Sequence, residues 1–76
     1  MTLAAILDFF TARNISAEIV GGEVHADAHS ATGTVMVNAK HDVVDAGARY
    51  LGQIVGAALP MGCGRIATSR VYRFAA

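Results

Sequence analysis

The sequence predicts a single small α+β domain with the element order α-β-β-β-α-β, in which two helices pack on one face of an antiparallel sheet. Three observations lead to this class: a helical period in the first residues, a hairpin pattern around a Gly-Gly pair, and a long later segment with a polar stripe. The 76 residues allow only one domain, which spans residues 1–76.

The first helix is predicted over residues 3 to 13. Thr2 is a suitable N-cap, and Asn14 suits the left-handed conformation that ends many helices. The apolar residues of this segment recur at helical spacing, at Leu3, Ile6, Leu7 and Phe10.

A β-hairpin is predicted next, because residues 15–20 and 23–29 both alternate between apolar and polar side chains around Gly21-Gly22. A two-residue turn there fixes the register. It pairs Ile19 with Val24, Ala17 with Ala26 and Ile15 with Ala28, and it places Glu18 opposite His25 on the other face.

A third strand is predicted over residues 34–39, where Val35, Val37 and Ala39 alternate with polar residues or Met36. A second helix is predicted from His41 or Asp42 up to Pro60, which cannot continue a helix. Asp45, Arg49 and Gln53 recur every four residues and form a polar stripe, which argues against a membrane span. The expected buried face of this helix comprises Val44, Gly47, Leu51, Ile54 or Val55, and Ala58. A fourth strand is predicted from Arg65 to Phe74.

Charge is distributed unevenly along a chain whose formal net charge is zero. All six acidic residues lie between Asp8 and Asp45, whereas four arginines and no acid follow from residue 46 onward. Such polarity orients partners even when the total charge is nil. The arginines and a tyrosine of this basic part are of the types enriched at protein interfaces. The predicted partner-binding residues are Arg65, Arg70, Tyr72, Arg73 and Arg49.

These arginines have a second interpretation. Strand alternation puts Arg65 and Arg73 on one face and Arg70 with Tyr72 on the other, so they do not form a single basic strip. Arginines on a strand also pair with acids of neighbouring strands or protect an exposed sheet edge.

Small residues recur every fourth position on the predicted second helix, at Ala48, Gly52 and Gly56. Interior glycines destabilise a helix, so a close backbone approach would explain them. That approach is either internal packing or a helix contact between two chains. We expect a homodimer, because a small chain rich in alanine buries little surface alone.

Two groups resemble chemical sites. His25, Asp27 and His29 alternate on one strand and could present ligands to a metal, although their spacing is wide for one ion and a solvated sheet face is the favoured interpretation. Cys63 lies in a glycine-rich loop near Arg65 but has no evident base. No metal site, no cofactor and no catalytic residue is therefore predicted.

The favoured functional hypothesis is a non-enzymatic module that binds another protein, such as a small inhibitor, adaptor or assembly protein of the type encoded by phages or mobile elements. One alternative is a nucleic-acid-binding domain that uses the basic C-terminal part, although neutral total charge disfavours phosphate binding. Another is a small metal-binding protein that uses His25, Asp27 and His29. A cytoplasmic location is expected because the single cysteine excludes an internal disulfide.

Overall fold

The computed structural model describes residues 1–27, 34–60 and 66–76, and shows a two-layer α+β domain. Its elements are two helices, α1 (Leu3–Thr11) and α2 (Thr34–Asp45), and four strands, β1 (Ala17–Val20), β2 (Glu23–Asp27), β3 (Arg49–Pro60) and β4 (Ile66–Ala75). The strands form one sheet in the order β1-β2-β4-β3, and all neighbours are antiparallel. The predicted fold class is confirmed, but the order of elements is α-β-β-α-β-β rather than α-β-β-β-α-β.

Helix α1 has the caps that the sequence predicts. The Thr2 hydroxyl accepts a hydrogen bond from the Ala5 amide at 3.1 Å, which satisfies a free donor of the first turn. At the other end Asn14 is left-handed, with a φ of 58°, and the amide of Ile15 donates to the carbonyl of Phe10 at 3.0 Å. This is a Schellman ending, and both Phe10 and Ile15 are buried, as its hydrophobic contact requires.

The predicted hairpin register is confirmed wherever its residues are described. Ala17 pairs with Ala26, Glu18 with His25 and Ile19 with Val24. Gly21 and Gly22 both have positive φ, at 56° and 83°, which the favoured two-residue hairpin turn requires of both central residues. Ala28, the expected partner of Ile15, lies outside the described residues.

The strand predicted over residues 34–39 is wrong, because these residues begin helix α2. The apolar residues of this segment fit both the two-residue period of a strand and the 3.6-residue period of a helix, and in the structure the segment is helical. Met36, Ala39 and Val43 are buried at spacings of three and four residues. Val35 and Val37, which strand alternation would point inward, are 47% and 44% exposed.

The helix predicted between residues 42 and 59 is also wrong, since α2 ends at Asp45 and β3 begins at Arg49. Gly47 ends α2 with a φ of 117°, and its amide donates to the Val44 carbonyl while the Ala48 amide donates to the Val43 carbonyl. These are the two bonds of a Schellman ending. Most of the residues expected to be buried are not, and the exposed ones include Val44, Leu51 and Ile54.

One hydrophobic core joins both helices to the same face of the sheet, as predicted. At its centre the Phe74 ring lies 5.0 Å from the Phe10 ring and 5.4 Å from the Tyr50 ring, between ring centroids. The other buried members of the core come from α1, the segment after it, β2, α2 and the residue before β3: Ile6, Ile15, Val24, Ala26, Met36, Ala39, Val43 and Ala48. Within the described ranges, both helices therefore lie on one side and leave the opposite side of the sheet uncovered. The predicted fourth strand is confirmed as β4, although Arg65 lies outside the described residues.

Candidate functional site

The side of the sheet opposite the helices is called the outer face here. Strand pairing places His25 opposite both Glu18 and Arg73, and places Val71 opposite both Asp27 and Ile54. Directly paired residues share a face, so this surface runs continuously across all four strands. Its described side chains include Glu18, Val20, Glu23, His25, Asp27, Ile54, Val71, Arg73 and, at the far edge on β3, Arg49.

A charge cluster at the centre of the outer face joins β2 to β4. The Arg73 guanidinium donates to both oxygens of Glu23, from Nε and from Nη2, each at 2.9 Å. The other neighbour of this carboxylate is His25, whose Nε2 lies 3.0 Å from Oε1. Two parallel bonds fix the relative orientation of the planar groups, and all three side chains are partly buried.

Hydrogen bonds from Arg73, and then from His25, lower the pKa of Glu23 from 4.5 to about 2. The hydrogen bonds that Arg73 donates to Glu23 also raise the pKa of Arg73. A carboxyl group with so low a pKa is a poor general base at neutral pH. The cluster is therefore suited to holding fixed charges on the sheet surface.

A cavity of about 340 Å³ opens beside this cluster, towards β1. Within residues 1–27, 34–60 and 66–76, its lining contains the acidic residues Glu18 and Asp27 and no lysine or arginine. The remaining lining residues are Ser16, Ala17, His25 and Val71. The amide of Asp27 donates to the carbonyl of Ser16 at 2.8 Å, which ties the two walls of the cavity together. Such a lining suits a cationic group on an aliphatic stem, because carboxylates pair with the charge while Val71 contacts the stem.

The predicted partner-binding residues are not brought together on one surface. Arg73 lies on the outer face and pairs with Glu23 of the adjacent strand. This contact fits the second interpretation of the arginines, in which they pair with acids of neighbouring strands. Tyr72 packs beside Tyr50 on the helix side, with ring centroids 5.8 Å apart, and Arg70 is exposed on that same side. Arg49 donates from Nε to the carbonyl of Ala76 at 3.1 Å, and Arg65 is not among the described residues.

Other described cations also contact groups of their own chain. The Arg13 guanidinium lies 3.4 Å from the Phe9 ring centroid, and the Lys40 ammonium lies 4.3 Å from the Tyr50 ring centroid. Both geometries are favourable cation–π contacts. The charge asymmetry of the sequence therefore does not become a basic surface made of the described side chains.

The predicted row of small residues loses its geometric basis, because its members are not on a helix. Ala48 is a buried core residue just before β3, and Gly52 has a φ of 103° at a β-bulge, where β3 carries an extra residue opposite β4. Gly56 lies further along the same strand. A role for these residues in an oligomer contact stays a prediction.

Neither chemical site is assembled by the part of the chain that the structure describes. His25 and Asp27 share the cavity, but His29 and Cys63 lie outside the described residues. Among residues 1–27, 34–60 and 66–76, no group of three His, Cys, Asp or Glu side chains is arranged to hold a metal ion.

The sequence interpretation missed both the Glu23–Arg73 pair and the cavity. The two paired residues are 50 positions apart and meet only because β4 lies next to β2. The available signal was the alternation of Glu23, His25 and Asp27 on one face of the hairpin.

Neither described helix is long and apolar enough to cross a membrane. Comparisons of the chain with protein-family models, with curated proteins and with solved structures give no match.

Proposed function

We propose that this chain is a non-enzymatic protein-binding module, and that its outer face docks a segment of another protein in which a lysine or arginine lies beside apolar side chains. The observation that carries the proposal is the cavity on the uncovered side of the sheet. It presents the carboxylates of Glu18 and Asp27 together with apolar wall atoms, and no lysine or arginine is among the described residues that line it.

The charge of the outer face supports a cationic partner. Three described carboxylates, those of Glu18, Glu23 and Asp27, lie on this face with two guanidiniums. Arg73 pairs with Glu23, and Arg49 lies at the far edge of the sheet, away from the cavity. With His25 counted as neutral, the surface therefore carries one net negative charge, and its acidic side chains lie on β1 and β2, towards the cavity. Opposite charge on a partner would accelerate the encounter and select the orientation of docking.

Rigidity and exposed apolar surface support a protein as the partner. The bidentate Glu23–Arg73 pair and the contact of Glu23 with His25 hold this side of the cavity lining in place before binding, which lowers the ordering cost of association. On the same face, Val20 lies beside Glu23 and is 41% exposed, so a docked segment would bury apolar surface next to the charge cluster.

The proposal belongs to the same class as an inhibitor, adaptor or assembly protein, and the identity of the partner decides among these roles. We place it in the cytosol, as the single cysteine favours. Binding of nucleic acid receives less support, because the outer face is acidic and most described cations contact groups of their own chain.

The direct test is selection from a displayed library of random peptides by three proteins: the wild type, Glu18→Lys, and Asp8→Lys. Asp8 is exposed on α1, so this matched control makes the same charge change on the other side of the sheet. We expect the wild type and Asp8→Lys to enrich peptides with Lys or Arg beside apolar residues, and Glu18→Lys to lose that enrichment.

Two results would contradict the proposal: enrichment of acidic peptides, or equal selection by the wild type and Glu18→Lys. A labelled single-stranded DNA, tested at increasing salt, provides the comparison with the alternative function. Binding that falls steeply with salt would favour nucleic acid as the ligand.

A further inference from the structure

Strand β3 lies at one edge of the sheet and pairs with β4 alone among the described strands. It is 12 residues long, whereas β1, at the opposite edge, has only four. A long edge strand exposes a row of backbone donors and acceptors that another strand can pair with. Proteins usually protect such an edge with charged residues, yet Arg49 is the only charged residue of β3 and lies at its start.

From this edge we infer that β3 pairs antiparallel with β3 of a second copy of this chain, joining two four-stranded sheets into one continuous sheet of eight strands. The symmetry of the contact favours a second copy as the partner. When two identical strands pair antiparallel about a two-fold axis, each strand bonds to the same residues of the other copy. A single exposed edge is therefore sufficient to form the whole interface.

The position of the two-fold axis follows from the side chains and the register. Gly52 to Val55 pair with β4 in unbroken register, between two irregularities of the strand. In many proteins β-bulges twist an edge strand so that it cannot pair with another chain. In β3 the two irregularities lie on either side of residues 52–55 and leave that stretch regular. Ile54 lies within it and near the midpoint of β3, and its side chain is 42% exposed on the outer face.

An axis at Ile54 brings the Ile54 side chains of the two copies directly opposite each other. The same register places Gly52 of one copy opposite Gly56 of the other, so no side chain obstructs the approach at those pairs. Arg49 then faces Leu59 of the second copy, and no like charges oppose each other. Two of the three residues expected in an oligomer contact thus enter the interface through strand pairing instead of helix packing.

Pairing at this edge leaves the proposed docking cavity free. The cavity is lined from the segment before β1, from β1 and β2, and from Val71 of β4, whereas β3 is the far edge of the sheet. The dimer contact therefore does not depend on the proposed function, and either can fail without the other.

Sedimentation velocity over a range of concentrations tests the inference with Ile54→Lys and the matched control Val20→Lys. Val20 is equally exposed on the same face but lies on β1, at the other edge. We expect the wild type and Val20→Lys to reach twice the chain mass of 7.9 kDa. Ile54→Lys places two like charges opposite each other and should weaken dimerisation by about tenfold or more.

A wild type that stays monomeric up to sub-millimolar concentration would overturn the inference, as would dimerisation lost in Val20→Lys and kept in Ile54→Lys. Should Ile54→Lys fail to fold, as judged by circular dichroism, Ile54→Cys in a Cys63→Ser background decides instead. Directly opposed residues of antiparallel strands are close enough for a disulfide, so mild oxidation should link two copies at position 54. The same experiment with Val20→Cys should give no linked dimer, and equal linking of the two variants would overturn the inference.

Discussion

Replacement of Gly47 by alanine distinguishes the observed fold from the long second helix that sequence periodicity predicts. The expected change in the free energy of unfolding has opposite signs in the two cases. Within a helix, Gly47→Ala would stabilise the protein by about 1 kcal/mol, the difference in helix propensity between the two residues. In the structure Gly47 ends α2 with a φ of 117°, a conformation that an L-residue with a Cβ adopts at a cost. That cost is about 1–2 kcal/mol.

The expected loss comes from the backbone alone. A Cβ at Gly47 would meet the Met1 nitrogen at 3.6 Å and the Met1 Cγ at 3.8 Å, which are ordinary contact distances and add no clash. A domain of this size has a free energy of unfolding of about 4–11 kcal/mol, so the loss is measurable. It corresponds to a decrease in Tm of roughly 4–8 °C for each kcal/mol.

Urea denaturation followed by circular dichroism measures this difference, with all proteins at one concentration because self-association would change the apparent stability. Gly47→Asn is the control, since asparagine adopts positive φ more readily than alanine and should lose less stability. A Gly47→Ala variant more stable than the wild type would refute the assignment of Gly47 as the end of α2.

Three further predictions concern the core, the exposed side of α2 and the charge cluster. Phe74→Ala should cost about 3–5 kcal/mol of unfolding free energy, because Phe74 is fully buried between Phe10 and Tyr50. Val35→Ala, on the exposed side of α2, should cost less than about 0.5 kcal/mol, and a larger loss would indicate that Val35 faces the core as in the predicted strand. The wild type should lose stability as pH falls from about 4.5 to about 2, because the folded-state pKa of Glu23 is lowered over that interval. Glu23→Gln should lack that part of the loss, and identical pH profiles of thermal unfolding would contradict the role of the Glu23–Arg73 pair.

Local signals predicted the first half of the fold correctly. Helix α1 and the β1–β2 hairpin are specified by caps, turn glycines and periodicity within a few residues. Residues 34–60 were assigned the wrong elements because their apolar residues fit both helical and strand periods, whereas the last strand was predicted correctly. Gly47, followed by the apolar Ala48 and preceded by Val43, was the signal for a helix end. Tertiary pairing with β4 then determines that residues 49–60 form a strand.

The candidate site could be predicted only in part. Alternation put Glu18 opposite His25 and placed Glu23, His25 and Asp27 on one face, and the structure confirms that arrangement. Their contacts with Arg73 and Val71 depend on the insertion of β4 between β2 and β3, which no local pattern encodes. Alternation also put Arg73 on one face of the last strand and Arg70 with Tyr72 on the other, and the strand pairing confirms that division.

Backbone amide NMR shifts test the docking site on the outer face most directly, recorded while a lysine-containing peptide from the library selection is titrated into the wild type. We predict saturable changes grouped at the amides of Glu18, His25, Asp27 and Val71, with little change along α1 and α2. Changes grouped on the helices instead, or no saturable change at any amide, would contradict docking at the outer face.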